Sequence, residues 1–299
     1  PAAGQYGQPT AESPWFNETP KHDFNVGYDF NHESTATRNF CKRVFGYWLT
    51  EYHIDGYRLD LSKGFTQNYT LGNIAAWNAY DQSRVNILTD YYNHMQALQP
   101  GTYVILEHLG DNPEETALAN IGMMLWGKMT TQYSEASMGY NGDLNWGSYQ
   151  NRGWSQPHLV TYAESHDEER VAYKAFNEAG QTQGNLPKVH QRLQAMGSVL
   201  FLVPGPKMIW HFQDLGMDDS IFTCENGSVN SETDATPGNC KLDTKPQPQW
   251  VENWLTTSPR STIYSNYAKF TKLKKGEAVF NGDYAIAPDG SDNLKQRIY

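Results

Sequence analysis

Three short stretches carry the side chains that can attack carbon or move a proton. They are Asp55-Gly56-Tyr57-Arg58-Leu59-Asp60-Leu61-Ser62-Lys63, Glu107-His108 and His166-Asp167. Read as a strand, the first has a period of two, which puts Gly56, Arg58 and Asp60 on one side and Tyr57, Leu59 and Leu61 on the other. A strand covered on both faces is normally apolar throughout, so a charged pair at its C-terminal end needs a reason. A buried Arg/Asp ion pair is one reason. A reactive carboxylate held ionised by a neighbouring guanidinium is another. Taken singly, Glu107 could be an exposed strand-end acid and His166-Asp167 a structural hydrogen-bonded pair. Three carboxylates at three strand ends, with His and Arg beside them, suit acid–base and nucleophilic chemistry better than three unrelated accidents. Read instead as metal ligands, His108, His166 and Asp167 lack the close helical spacing that such sites favour.

Those strand ends need a scaffold, and the chain supplies an alternating one. Residues 1–22 are rich in Gly, Pro, Gln and Ser and read as loop. Ala36 to Tyr52 carries Phe40, Val44, Tyr47, Trp48 and Leu49 at helical spacing, and His53 to Leu61 is a strand. A helix over Tyr80–Leu98, a strand Tyr103–Glu107, a helix Asn112–Ala119 and a strand Gly122–Met129 follow. Next come a strand at Leu159–Ala163, a helix at Leu193–Leu202 stopped by Pro204-Gly205-Pro206, a strand at Lys207–His211 and a helix at Tyr264–Lys275. Strands alternating with helices predict parallel βαβ units, five strands of an eight-stranded (β/α)8 barrel. Past Gly276 the pattern changes to short strands and the turn Pro288-Asp289-Gly290-Ser291. The expected division is therefore a partial barrel over residues 1–276 and the first strands of a β domain over 277–299, with the N-terminal barrel strands missing.

Composition narrows the partners. A net charge of -10 repels a phosphate backbone and disfavours nucleic acid, and no apolar run approaches the length of a membrane span. Nine Trp and nineteen Tyr offer flat rings with polar tips, which suit sugar faces as well as cores. Cys41 stands alone, while Cys224 and Cys240 bracket a polar loop that a disulfide would staple. Such a bond implies an oxidising compartment, so a secreted or periplasmic location is expected. Asn17, Asn68 and Asn226 open glycosylation sequons.

The motifs resemble those of the α-amylase family, glycoside hydrolase family 13. Gly56-Tyr57-Arg58-Leu59-Asp60-Leu61-Ser62-Lys63 is similar to that family's fourth-strand motif and Val104-Ile105-Leu106-Glu107 to its fifth-strand motif. Ser165-His166-Asp167-Glu168-Glu169-Arg170 resembles the seventh-strand motif, and Pro204 to Trp210 the run into the eighth strand. Order and spacing agree from about Tyr28 to Asn281. The resemblance implies retaining hydrolysis of α-1,4-glucosidic bonds in starch, glycogen or maltooligosaccharides. Asp60 is then the nucleophile, Glu107 the acid/base with a pKa raised by burial and by the acids nearby, and Asp167 the transition-state stabiliser. Arg58, Lys63, His108 and His166 are expected to bind substrate, with Lys63 and His108 on the leaving-group side. All three acids are expected to meet around one sugar ring. A debranching enzyme or a glucanotransferase shares this chemistry, and a fragment that binds glucan without turnover is the alternative from another class.

Two departures bear on a cofactor. The third-strand motif, which in the family often supports calcium, has no home here, and Asp29-Phe30-Asn31-His32 resembles it only superficially. Calcium is left open on this reading, with no metal ligand assigned beyond a contribution from Asp29. Gly64 stands where many members carry a His after the Lys.

Overall fold

Helix α1 (Thr35–Glu51) opens the regular part of the chain and feeds strand β1 (Gly56–Leu59). The structure, a computed structural model, describes residues 7–25, 27–224, 228–229, 248–290 and 292–299. It divides into one unit of residues 1–126 and 152–158 and a second of residues 127–151 and 159–299.

In the first unit, β1 is followed by a short α2 (Ile74–Asn78), α3 (Gln82–Leu98), β2 (Tyr103–Leu106), α4 (Asn112–Ile121) and the opening residues of β3 (Met124–Lys128). Local chemistry sets these boundaries. Asp81 caps α3 by accepting from the Ser83 N–H at 2.9 Å, and α4 starts with Pro113 and two glutamates in its first turn. Gly122 ends α4 with a positive φ that its lack of a Cβ allows. Strand β1 pairs with β2 in parallel from Gly56↔Tyr103 to Leu59↔Leu106, and β2 pairs with β3 through Ile105↔Met124 and Leu106↔Leu125. Helix α1 lies against α3, where Phe45 meets Tyr91 edge-on at 5.4 Å. The inward face of α1 is Thr37, Phe45 and Leu49, whereas Phe40, Tyr47 and Trp48 are exposed. The helix is where the spacing predicts it, and its buried face is rotated from the aromatic one.

The second unit continues from Gly127 with α5 (Thr130–Met138), β4 (Leu159–Tyr162), α6 (Val171–Asn177), α7 (Leu186–Leu202), β5 (Lys207–Met208), α8 (Pro248–Val251) and α9 (Arg260–Gly276). All four residues of β4 are buried, as a central parallel strand requires, and β4 pairs with β5 through Thr161↔Lys207 and Tyr162↔Met208. Five parallel strands among the described residues, joined by helices, are part of a (β/α)8 barrel, the fold class expected from the sequence. No helix of the described residues is long and apolar enough to cross a membrane.

Past Gly276 the described residues form two short strands. Strands β6 (Tyr284–Ile286) and β7 (Gln296–Ile298) form an antiparallel hairpin, but Tyr284 and Ile286 belong to the same apolar cluster as Val199, Leu200 and Tyr267 of α7 and α9. The Tyr284 hydroxyl lies 2.6 Å from Ser148 Oγ. A two-stranded hairpin cannot bury its own apolar face, so it borrows the core of the second unit. The Cys224–Cys240 pairing and the Asn226 sequon lie outside the described residues. Asn17 of the first sequon is buried, with its Nδ2 donating to Asp29 Oδ2 at 2.8 Å.

Two expectations concern stability. A Cβ on Gly56 would collide with the Tyr103 carbonyl oxygen and stand 2.7 Å from the Tyr103 Cβ. The colliding atom is backbone held in the β1–β2 ladder, so Gly56→Ala should cost about 1–3 kcal/mol in urea unfolding. In the first unit, Arg152 Nη1 pairs with Glu115 Oε2 at 2.7 Å, and burial raises the Glu115 pKa from 4.5 to about 7 against the pull of Arg152. The folded state then binds this proton more tightly than the unfolded one. Stability from this group is full below pH 4.5 and is lost as pH rises through about 7. Thermal unfolding between pH 5 and 8 should show this fall, and Glu115→Gln should lack it.

Candidate active site

The site is built where β1 and β2 end. Arg58 points from β1 and forks between two carboxylates. Its Nη1 pairs with Asp60 Oδ1, and its Nη2 donates to Glu107 Oε2 at 2.5 Å. The guanidinium plane also lies over the Trp126 ring, 4.3 Å from its centroid. Past β1 the backbone turns sharply, because Leu61 adopts the left-handed region at φ 44°, ψ 43°. This turn aims two successive N–H groups at the acid. Leu61 N–H donates to Glu107 Oε2 at 3.2 Å and Ser62 N–H to the Glu107 carbonyl at 2.9 Å. Glu107 N–H in turn donates to the Leu59 carbonyl at 3.0 Å. The two acids are thus clasped together through both side chains and main chain.

The environments of the two carboxyls differ. The Asp60 side chain is 74% exposed and that of Glu107 only 13%. Burial raises the Glu107 pKa above 4.5; the Leu61 N–H and the Arg58 cation oppose this, while the charge of Asp60 and its hydrogen-bond contact add to it. Glu107 therefore retains its proton to higher pH than an ordinary glutamate.

Lys63 and His108, expected to face a leaving group, turn inward instead. Lys63 Nζ donates to Asn78 Oδ1 at 2.7 Å and to the Leu109 carbonyl at 3.0 Å, and sits over the Trp77 ring. His108 is buried, with Nδ1 3.0 Å from Ser62 Oγ and Nε2 2.7 Å from Glu114 Oε1. The left-handed turn at Leu61 leads into the buried Ser62–Gly64 segment, which carries Lys63 inward, while Ser62 and Glu114 hold His108. Gly64 also has a packing reason, since a Cβ there would stand 2.6 Å from Nε2 of the buried His22. His22 stacks on Trp77 with the ring centroids 4.9 Å apart and the planes nearly parallel.

In the second unit, His166 and Asp167 follow β4 with both side chains exposed, His166 Nε2 lying 3.3 Å from Asp167 Oδ2. Their loop stands on a buried base. Glu164 accepts from Arg170 Nη1 at 3.0 Å and from Val171 N–H at 3.0 Å, and Arg170 donates to the His211 carbonyl at 2.8 Å. The His166 ring is 5.6 Å from that of Trp210. Sequence reasoning assigns no role to this Glu164/Arg170 pair or to Ser62, Arg84, Glu114 and Trp126. A carboxylate and a guanidinium six residues apart around His166-Asp167 were a usable signal. Nothing local marks Arg84 and Glu114 as partners.

Asp29 does not fit a cation. Its carboxylate accepts from Asn17 Nδ2 at 2.8 Å and from Lys21 N–H at 3.1 Å, with His22 Nε2 at 3.5 Å, so donors surround it where a metal needs acceptors. Among the described residues no group of three or more His, Cys, Asp or Glu is placed to hold a metal ion.

Comparison with known proteins bears on this arrangement. A family model described as the alpha amylase catalytic domain matches residues 6–259. No curated protein matches the chain. Among solved structures, Eubacterium rectale Amy13B superposes with a TM-score of 0.61 at 13% identity, over 94% of this chain and 58% of its own. The alpha-amylase from Geobacillus thermoleovorans, complexed with acarbose, gives 0.58 at 14% identity, over 91% and 54%. The type I pullulanase from Bacillus subtilis, complexed with maltose, gives 0.56 at 18% identity, over 89% and 37%. At these identities the likeness is one of fold. The chain spans less than two thirds of each of these structures.

Arg58→Met would take the shared cation from between the two carboxyls. The Glu107 carboxyl, followed by NMR in protein labelled at the glutamate carboxyl carbon, should then titrate at higher pH than in the native chain. An unchanged titration would show that Arg58 does not hold the pair.

Proposed function

The chain belongs to the alpha-amylase family by its catalytic domain, a glycosidase family, and from that premise we propose that it hydrolyses α-1,4-glucosidic bonds in starch, glycogen or maltooligosaccharides with retained configuration. The observation that carries this reading is the Arg58 fork, which holds an exposed carboxylate and a half-buried, proton-retaining carboxyl at one place. Asp60, reachable beside the guanidinium, attacks the anomeric carbon. Glu107 gives its proton to the departing glycosidic oxygen, and the glucosyl group is left as an ester of Asp60. Glu107, now a carboxylate, draws a proton from water as that water cleaves the ester, and both residues return to their starting state. Retaining chemistry of this kind uses carboxyls about 5–5.5 Å apart. Two acids in contact with one guanidinium are compatible with that separation.

Asp167 and His166 take their proposed roles from the seventh-strand motif: Asp167 grips sugar hydroxyls and stabilises the positive ring of the transition state, and His166 donates a hydrogen bond to the substrate. Among the described residues β1 has one strand neighbour, β2. An open parallel edge invites a further strand. We propose that turnover needs barrel strands supplied along that edge by a further segment. Debranching or transfer to a sugar acceptor remains the second reading, because the Bacillus subtilis pullulanase shares the fold.

Asp60→Asn and Glu107→Gln should each lower turnover of a soluble maltooligosaccharide by roughly 10³-fold or more. Proton NMR of the first product formed should show the α-anomer. Intact turnover in both variants, or release of the β-anomer, would remove the proposal.

A further inference from the structure

A buried chain of polar contacts lies directly beneath the two acids. Glu114, in the first turn of α4, accepts from Arg84 Nε at 2.5 Å and Nη2 at 2.8 Å, and its Oε1 is also 2.7 Å from His108 Nε2. His108 Nδ1 is 3.0 Å from Ser62 Oγ, which is 3.2 Å from the Glu107 carbonyl oxygen. Ser62, His108 and Glu114 have exposures of 0, 1 and 0%. Serine, histidine and a carboxylate at these distances have the parts of a nucleophilic triad, but no substrate reaches a hydroxyl with no exposed surface.

The direction of the contacts can be assigned. Burial lowers the pKa of His108, and the bonds from His108 and Arg84 outweigh burial to lower that of Glu114. A neutral imidazole facing a carboxylate carries its proton on the facing nitrogen, Nε2. Nδ1 is then an acceptor, and the one Ser62 hydroxyl proton is shared between it at 3.0 Å and the Glu107 carbonyl oxygen at 3.2 Å. Arg84 fixes the base of this chain. Its Nη1 donates to the carbonyls of Lys63 at 2.8 Å and Trp77 at 3.1 Å, and its Nη2 to that of Ala79 at 3.0 Å.

We propose that Ser62, His108 and Glu114 are positioning residues that hold the Leu61–Ser62 peptide against Glu107 and so fix where the acid's carboxyl sits. The peptide they hold is the one whose N–H groups bond Glu107 Oε2 and the Glu107 carbonyl. None of the three touches substrate. Their effect passes through the Leu61 N–H, which favours the ionised form of Glu107. This inference rests on Glu107 being the acid of the proposed reaction.

The test is the Glu107 carboxyl titration, assigned with Glu107→Gln, in the native chain and in Ser62→Ala. Loosening one charge-assisted hydrogen bond should raise the Glu107 midpoint by about one pH unit. On a maltooligosaccharide, kcat should fall about 10-fold with KM within about 2-fold, as expected when an acid is misplaced and binding is not. Should Ser62→Ala fail to fold, His108→Phe carries the same measurement, because Glu114 keeps Arg84 and the ring volume is similar. In the native chain, ¹⁵N shifts should place the His108 proton on Nε2. A Glu107 titration unchanged in the variants, or a proton on His108 Nδ1, overturns the inference. If Glu107→Gln leaves turnover intact while Ser62→Ala still moves the titration, the assignment of the acid fails and the positioning of the Glu107 carboxyl by Ser62, His108 and Glu114 stands.

Discussion

One guanidinium between two carboxylates is the constraint on which this half of the molecule depends. Asp60 and Glu107 are of like charge when ionised, and bringing them together without a cation would force one to stay protonated or drive them apart. Arg58 solves this by geometry, because its planar fork presents two donors in fixed directions. A lysine could offer only a point charge. The fork must itself be held, and Trp126 does so by stacking beneath it. Arg58 Nε is buried without a hydrogen-bond partner among the described residues, so this cation is kept in place by its two carboxylates and by a ring face.

Below this fork the first unit places charges where cores usually hold hydrocarbon. Glu114 and Glu115, in the first turn of α4, are both buried, the one against Arg84 and the other against Arg152. The positive end of the helix macrodipole favours carboxylates at this position. Buried pairs of this kind add little net stability, since desolvation offsets most of their attraction, but losing one partner costs about 3–5 kcal/mol. Their usefulness is directional. Each arginine ties connecting backbone to α4: Arg84 the 63–79 segment with its short α2, and Arg152 the return of the chain at residue 152. Loops that must present side chains accurately are thereby fixed with little secondary structure of their own.

The second unit uses the same device beneath His166-Asp167. Glu164 and Arg170 are buried on either side of His166-Asp167, and Arg170 reaches across to His211. The exposed pair stands on a base that cannot easily shift. In both units, then, exposed groups with chemical capacity rest on a buried carboxylate–guanidinium pair, and Arg58 itself is partly within reach of solvent.

By itself the sequence determined the class of fold, the order of its strands and the strand ends on which the acids stand. These are local properties: a period of two, a period of 3.6, and turn residues between them are written into adjacent positions. It also determined the pairing of Arg58 with Asp60, which lie two residues apart on one strand face. Tertiary structure alone decided that Glu107 shares that same guanidinium, a matter of strand register across 49 residues. It decided which face of α1 is inward, the one that sets Phe45 against Tyr91 of α3. It turned Lys63 and His108 away from solvent, since their direction follows from a left-handed Leu61 and from a carboxylate on a later helix. A side chain just past a strand end has no periodicity to fix it, and its direction is set by whichever distant group it meets.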